Sequence, residues 1–137
     1  MKTSYANQNL ITILYFLNLA AYQYYNMKEI RFRCWINIDE EKYFGPGPLK
    51  LLQLIDELGS LSKAAKTMGM SYKKAWDIIN TLNSKSSEPI VVLQKGGAKG
   101  GGAEITEKGK KIMKSYTELN NKIEELISHE NQILDLL

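Results

Sequence analysis

The sequence predicts a mainly α fold with small β elements. Three observations carry that prediction. Two short helix-forming runs are separated by Gly69-Met70-Ser71, a Gly-rich tip lies between two short β-type runs, and apolar residues recur in steps of three and four from Ile112 to Leu137. Taken in order they describe a winged helix-turn-helix with an N-terminal strand or hairpin, a Gly-rich wing and a long C-terminal dimerisation helix. The chain has 137 residues, 44% hydrophobic and 24% charged, which suits one soluble domain with a real core.

The elements follow in chain order. Residues 1–26 differ from the rest, because Leu10–Tyr25 is an apolar, aromatic run broken by Thr12, Asn18 and Gln23. The run is shorter than the ~20 residues that span a bilayer. Three readings compete: a mis-called start before Met27, an extra helix packed on the domain or a partner, and a membrane segment. A compact domain reads from residue 27 to 113, and the C-terminal helix from 107 to 137. Within Lys28–Ile38, Ile30, Phe32, Cys34, Ile36 and Ile38 alternate with polar residues and Trp35, the mark of a half-buried strand. Asp39-Glu40-Glu41 is a turn, and Lys42-Tyr43-Phe44 returns as a short second strand. Pro48 suits the first position of a helix running to Leu58, which Gly59 stops. Ser62 is the expected N-cap of Lys63–Met68, and Ser71 that of Tyr72–Asn83. Ile90–Leu93 and Glu104–Thr106 flank the Gly-rich tip as a hairpin, and Thr106 caps the last helix.

Charge and side-chain chemistry narrow the function. Lysines and arginines number 18 against 15 acids, a net charge of +3. Residues 1–62 are balanced, while 63–114 hold eleven lysines and four acids, a net +7. Such a concentration points to a polyanion partner, with a solvated Lys-rich face as the plain alternative. One cysteine, Cys34, and one histidine, His129, exclude an internal disulfide, a Cys-based zinc site and a His-pair metal site. No nucleophile–base–orienter set can be assembled, so the chain reads as a non-enzyme without cofactor.

In a helix-turn-helix, the second helix enters the major groove by its N-terminus. Ala75, Ile79 and Leu82 supply its apolar side, leaving Ser71, Tyr72, Lys73, Lys74 and Asp77 to reach phosphates and base edges. Trp76 reads as core or DNA contact, and the core reading is the more common for a large aromatic. The Gly-rich tip fits neither phosphate-loop nor dinucleotide patterns. With Lys95 and Lys99 it suits a hairpin tip lying close to DNA phosphates, or a merely flexible loop. In the last helix, Tyr116, Leu119, Ile123, Leu126 and Ile133 fall on a heptad seam, expected for a homodimer or for packing on the chain's own domain.

The run from Gly59 to Thr106 resembles a known family. Ser71-Tyr72-Lys73-Lys74-Ala75-Trp76-Asp77, Asn80, Asn83, the Gly-Gly-x-Lys-Gly-Gly-Gly tip and Ile105-Thr106-x-x-Gly109 are similar to the N-terminal DNA-binding domain of the molybdate-responsive regulator ModE. A more distant similarity is to the winged helix of LysR-type regulators. The resemblance covers about residues 49–113. It implies a homodimeric winged helix-turn-helix with DNA-contacting positions at Ser71, Tyr72, Lys73, Lys74 and Asp77 and a wing around Lys99. ModE continues into molybdate-binding domains, for which this sequence has no room after Leu137. The reading is therefore a stand-alone, cytoplasmic transcription regulator that binds double-stranded DNA as a homodimer and does not bind molybdate. The alternative is a winged-helix protein–protein adaptor.

Overall fold

A computed structural model describes residues 12–19, 28–94, 101–130 and 132–137. The chain forms two compact units: Phe32–His129, and the two ends, residues 1–31 with 130–137. In the unit of the two ends, residues 12–19 form helix α1, whose Ile13, Leu14, Tyr15, Phe16 and Leu17 are more than half exposed. Lys28 Nζ donates to the Leu134 carbonyl at 3.2 Å. Among the described residues no helix is long and apolar enough to cross a membrane. Half of the sequence run at issue, residues 10–11 and 20–25, lies outside the described residues.

The larger unit runs β1 (Ile36–Ile38), β2 (Glu41–Phe44), α2 (Pro46–Leu58), α3 (Leu61–Thr67), α4 (Tyr72–Ser84), β3 (Val91–Leu93), β4 (Ala103–Ile105) and α5 (Glu107–Ser128). The strands make two separate antiparallel hairpins, β1–β2 and β3–β4. A short helix α6 (Gln132–Asp135) belongs to the unit of the two ends.

Local chemistry accounts for most boundaries. Asp39 and Glu40 both hold positive φ, 52° and 64°, so the β1–β2 connection is a two-residue turn of the kind that matches strand twist. The alternating pattern extends back to Lys28, yet pairing is confined to Ile36–Ile38, because β2 offers only four residues to pair with. Cys34 accordingly sits half-buried before the strand rather than inside it. Helix α2 begins two residues earlier than Pro48. Pro46 takes the first position and Pro48 the third, both places where the missing N–H has no helical partner to lose.

The cap of α3 is Ser60 rather than Ser62: its hydroxyl accepts from Lys63 N at 3.3 Å. That choice places Leu61, only 3% exposed, inside the helix on its buried side. The turn that follows is a Schellman stop. Gly69, at φ 65°, donates to Lys66 O, and Met70 N reaches back to Ala65 O, each at 3.0 Å. Ser71 then caps α4 by accepting from Lys74 N at 3.2 Å.

The core gathers Leu51, Leu52, Ile55, Ala64, Ala65, Ala75, Ile79, Leu82, Ile90, Val91 and Ile105. Buried Ala64 and Ala65 let α3 pack against both α2 and α4. The hairpin β3–β4 is tied to this bundle at two ends. Ala103 N donates to Gly59 O at 3.0 Å, and the side chain of Asn83 at the end of α4 clasps the free edge of β3.

Helix α5 starts where Thr106 accepts from Gly109 N at 3.1 Å while donating to Pro89 O at 2.7 Å. At Gly109, α5 lies close against Ile90, just before β3, and Ile105 of β4. A Cβ there would stand 2.5 Å from Ile90 O and 2.7 Å from Ile105 Cγ2. The Ile-Thr-x-x-Gly motif is thus a docking device for α5. Gly109→Ala forces backbone apart, an overpacking cost of ~1–3 kcal/mol that outweighs a helix-propensity gain of up to ~1 kcal/mol. A thermal melt should show a lowered midpoint; an unchanged or raised one would refute the close-approach argument.

Two expectations for the last helix need correction. It ends at Ser128, not at Leu137, so Ile133 stands on the separate helix α6. Ser128, His129 and Asn131 are weak helix formers, and Ser128 Oγ turns back onto Glu125 O at 2.7 Å. Tyr116 is also not available to a partner. It is 2% exposed, its ring meets Phe44 edge-on at 5.0 Å between centroids, and its hydroxyl donates to Cys34 O at 2.7 Å.

Candidate nucleic-acid interface

Helix α4 has one buried side and one bare side. Ala75, Ile79 and Leu82 are at most 1% exposed and anchor it. Three or four residues apart on the same helix, Tyr72 and Trp76 are exposed, as are Lys73, Lys74 and Asp77. The Ser71 cap sets where these side chains begin, since it fixes the first turn.

Each residue singled out from sequence has a definite place. Ser71 is exposed but its hydroxyl already serves Lys74 N. Lys73 Nζ stands 3.5 Å from Asp77 Oδ2, one helical turn on, in a solvent-exposed ion pair. Such a pair contributes little to stability and is easily exchanged for another anion. Lys74 points to the opposite flank from Tyr72: it lines a groove with Trp35, Lys42 and Tyr43. Tyr72 lines a cleft with Ser62, Leu93, Gln94 and Gly102, at the base of the β3–β4 hairpin. Lys95 and Lys99 lie outside the described residues.

Trp76 was underestimated by sequence reasoning. It is 42% exposed, beside Tyr72 at 55%, rather than part of the core. The signal was present in the spacing: with Ala75, Ile79 and Leu82 inward, residue 76 must point away. An exposed Tyr–Trp pair with two lysines can stack, hydrogen-bond and neutralise phosphate.

On α5, Leu119 and Leu126 are 42% and 69% exposed, and Ile123 between them is half-buried. These three, at spacings of four and three, form an apolar stripe directed away from the core. Among the described residues no cluster of His, Cys, Asp or Glu could hold a metal ion.

Helix α4 is thus a capped and anchored helix with a basic, aromatic outer side, and several proteins that this chain resembles are named transcriptional regulators. The chain is 44% identical over 71 residues to the molybdenum transport protein ModE of Azotobacter vinelandii, covering 52% of this chain and 26% of that protein. It is 37% identical over 81 residues to the DNA-binding transcriptional dual regulator ModE of Escherichia coli, covering 59% of this chain and 31% of that protein. A third match, at 36% over 92 residues, is the molybdenum-pterin-binding protein MopB of Rhodobacter capsulatus, with 67% and 34% covered. The resemblance drawn from the motifs is thus matched by curated relatives, and the similarity is that of a ModE-like domain. The chain spans about a quarter to a third of the length of the curated relatives it matches. No family model matches it.

Proposed function

We propose that residues 27–113 act as a winged helix-turn-helix that binds double-stranded DNA and regulates transcription in the cytoplasm. In this reading α3 and α4 are the helix-turn-helix, α4 is the helix that enters the major groove, and the β3–β4 hairpin is the wing. The carrying observation is the outer side of α4, where Tyr72, Lys73, Lys74, Trp76 and Asp77 are all exposed on a helix that is rigidly anchored beneath. Lysines meet guanine O6/N7 or phosphate, and Asp77 accepts from cytosine N4 once Lys73 has moved to the DNA. Lys95 and Lys99 of the tip add phosphate contacts. The chain pairs as a homodimer through Leu119, Ile123 and Leu126 of α5. The reading assigns these residues DNA binding, no catalysis and no molybdate site.

The test is a selection from a random duplex library with the purified protein, with and without molybdate. One recovered motif, the same in both conditions, is the expected result. Substituting Lys73, Lys74 or Asp77 by Ala should then alter base preference, with a good base contact giving ~1–3 kcal/mol of discrimination. Lack of any enriched motif, or indifference to all three substitutions, would sink the reading. A second reading, a protein–protein adaptor, is favoured by one observation: exposed Tyr72 and Trp76 form the kind of aromatic pair found at protein interfaces. Binding to duplex that weakens steeply with salt separates the two, since it reports counterion release.

A further inference from the structure

We propose that the β1–β2 hairpin makes a second contact to the DNA backbone, through Lys42 held over the ring of Trp35, on the flank of α4 opposite the β3–β4 hairpin. The inference rests on the DNA-binding reading of α4. One flank, carrying Tyr72 and Asn83, faces β3–β4. The other, carrying Lys74, Asp77 and Thr81, forms with Trp35, Lys42 and Pro48 an open groove of about 450 Å³. Helix α4 therefore lies between two hairpins, and a duplex that receives its outer side passes both.

The second hairpin is fixed to α4. The Tyr43 hydroxyl donates to Leu82 O at 2.8 Å, and partial burial raises the Tyr43 pKa, which keeps the donor protonated. At the far end of α4, Lys85 Nζ meets Glu41 Oε2 at 3.3 Å. The presented group is also ordered. Lys42 Nζ lies 4.9 Å from the centre of the Trp35 ring, and that ring rests on Gly45 where any Cβ would clash. A lysine already held in place loses less freedom when it meets a phosphate.

Charge on this flank favours an anion at Lys42. The one carboxylate that lines the groove, Asp77, faces Lys73, and Glu41, next to Lys42 in β2, faces Lys85. Lys42 and Lys74 are left as the exposed cations of the groove. Asp39 and Glu40 occupy the exposed turn and repel a phosphate strand from the tip, which confines contact to the Lys42–Trp35 end.

The experiment measures affinity of the full chain for a labelled random-sequence duplex as a function of salt, for the parent and for Lys42→Gln, Lys42→Arg and Lys74→Gln. Lys42→Gln should reduce the log–log salt slope by about 1, as loss of one phosphate contact requires. Between about 50 and 200 mM salt its affinity should then fall about 3–4-fold less than that of the parent. Lys42→Arg should restore the parent slope. A parent-like slope for Lys42→Gln, with a reduced one for Lys74→Gln, would overturn the hairpin contact and leave the DNA-binding reading standing. Parent-like slopes for both variants would also overturn the hairpin contact, whereas a parent whose duplex affinity hardly changes with salt would overturn the DNA-binding reading itself.

Discussion

Asn83→Ala should lower the stability of the larger unit by about 2–4 kcal/mol. The side chain of Asn83 stands where a neighbouring strand would. Its Oδ1 accepts from Ile90 N at 2.8 Å and Val91 N at 3.1 Å, and its Nδ2 donates to Val91 O at 2.8 Å. Ile90 and Val91 are at most 1% exposed, so water cannot readily replace the lost partners. Each buried polar group left unsatisfied costs ~1–3 kcal/mol, and partial relaxation of the strand edge keeps the total below the sum. For a domain of about this size that is a fall in melting temperature of roughly 10 °C or more. Asn83→Asp keeps both acceptances but turns a carboxylate oxygen onto the Val91 carbonyl where Nδ2 donated, so it too should melt below the parent. Circular dichroism melts that place Ala or Asp level with the parent would refute this assignment. The same substitution should loosen the β3–β4 hairpin against α4, weakening any DNA binding that needs both.

That residue shows how far the sequence could be read. Caps and stops were legible because their chemistry is local: Ser71, Thr106, Gly59 and Gly69 each act within a few residues of themselves. Asn83 was visible only as part of a motif, since its partners lie seven and eight residues on and depend on how β3 docks. Ser60-Leu61-Ser62 offered two caps, and the deciding fact, burial of Leu61, is tertiary. The strand from Lys28 was over-read for the same reason, because alternation records a half-buried edge and pairing needs a partner of equal length. In the heptad seam, spacing placed Tyr116 in line with Leu119 and Leu126 but could not tell an inward residue from an outward one. Phe44 and the Cys34 carbonyl claim Tyr116 for the core. At the candidate interface the basic residues were readable from charge and helix phase. The flanking role of Lys42 was not, because it needs β1–β2 to be set beside α4.

Leu126→Asp should abolish self-association while leaving the fold intact. Leu126 is 69% exposed, so within one chain the new carboxylate stays in water and the melt at low protein concentration should match that of the parent. Leu119, Ile123 and Leu126 line one stripe of α5, at the spacing with which helices pair. Paired, the stripe would bury the carboxylate without a partner, at several kcal/mol per charge. At ~1.4 kcal/mol per decade the dimer dissociation constant should rise about a hundredfold or more. Affinity for a two-half-site duplex should fall with it, since joined modules gain ~10²–10⁴-fold over single ones. Affinity for a single half-site should hardly change, because α4 is untouched. Leu126→Met, apolar and of similar volume, should behave as the parent. Sedimentation equilibrium decides the matter. A parent that is monomeric at the concentrations where it binds DNA, or a Leu126→Asp variant that remains dimeric, would remove the α5 stripe from the interface.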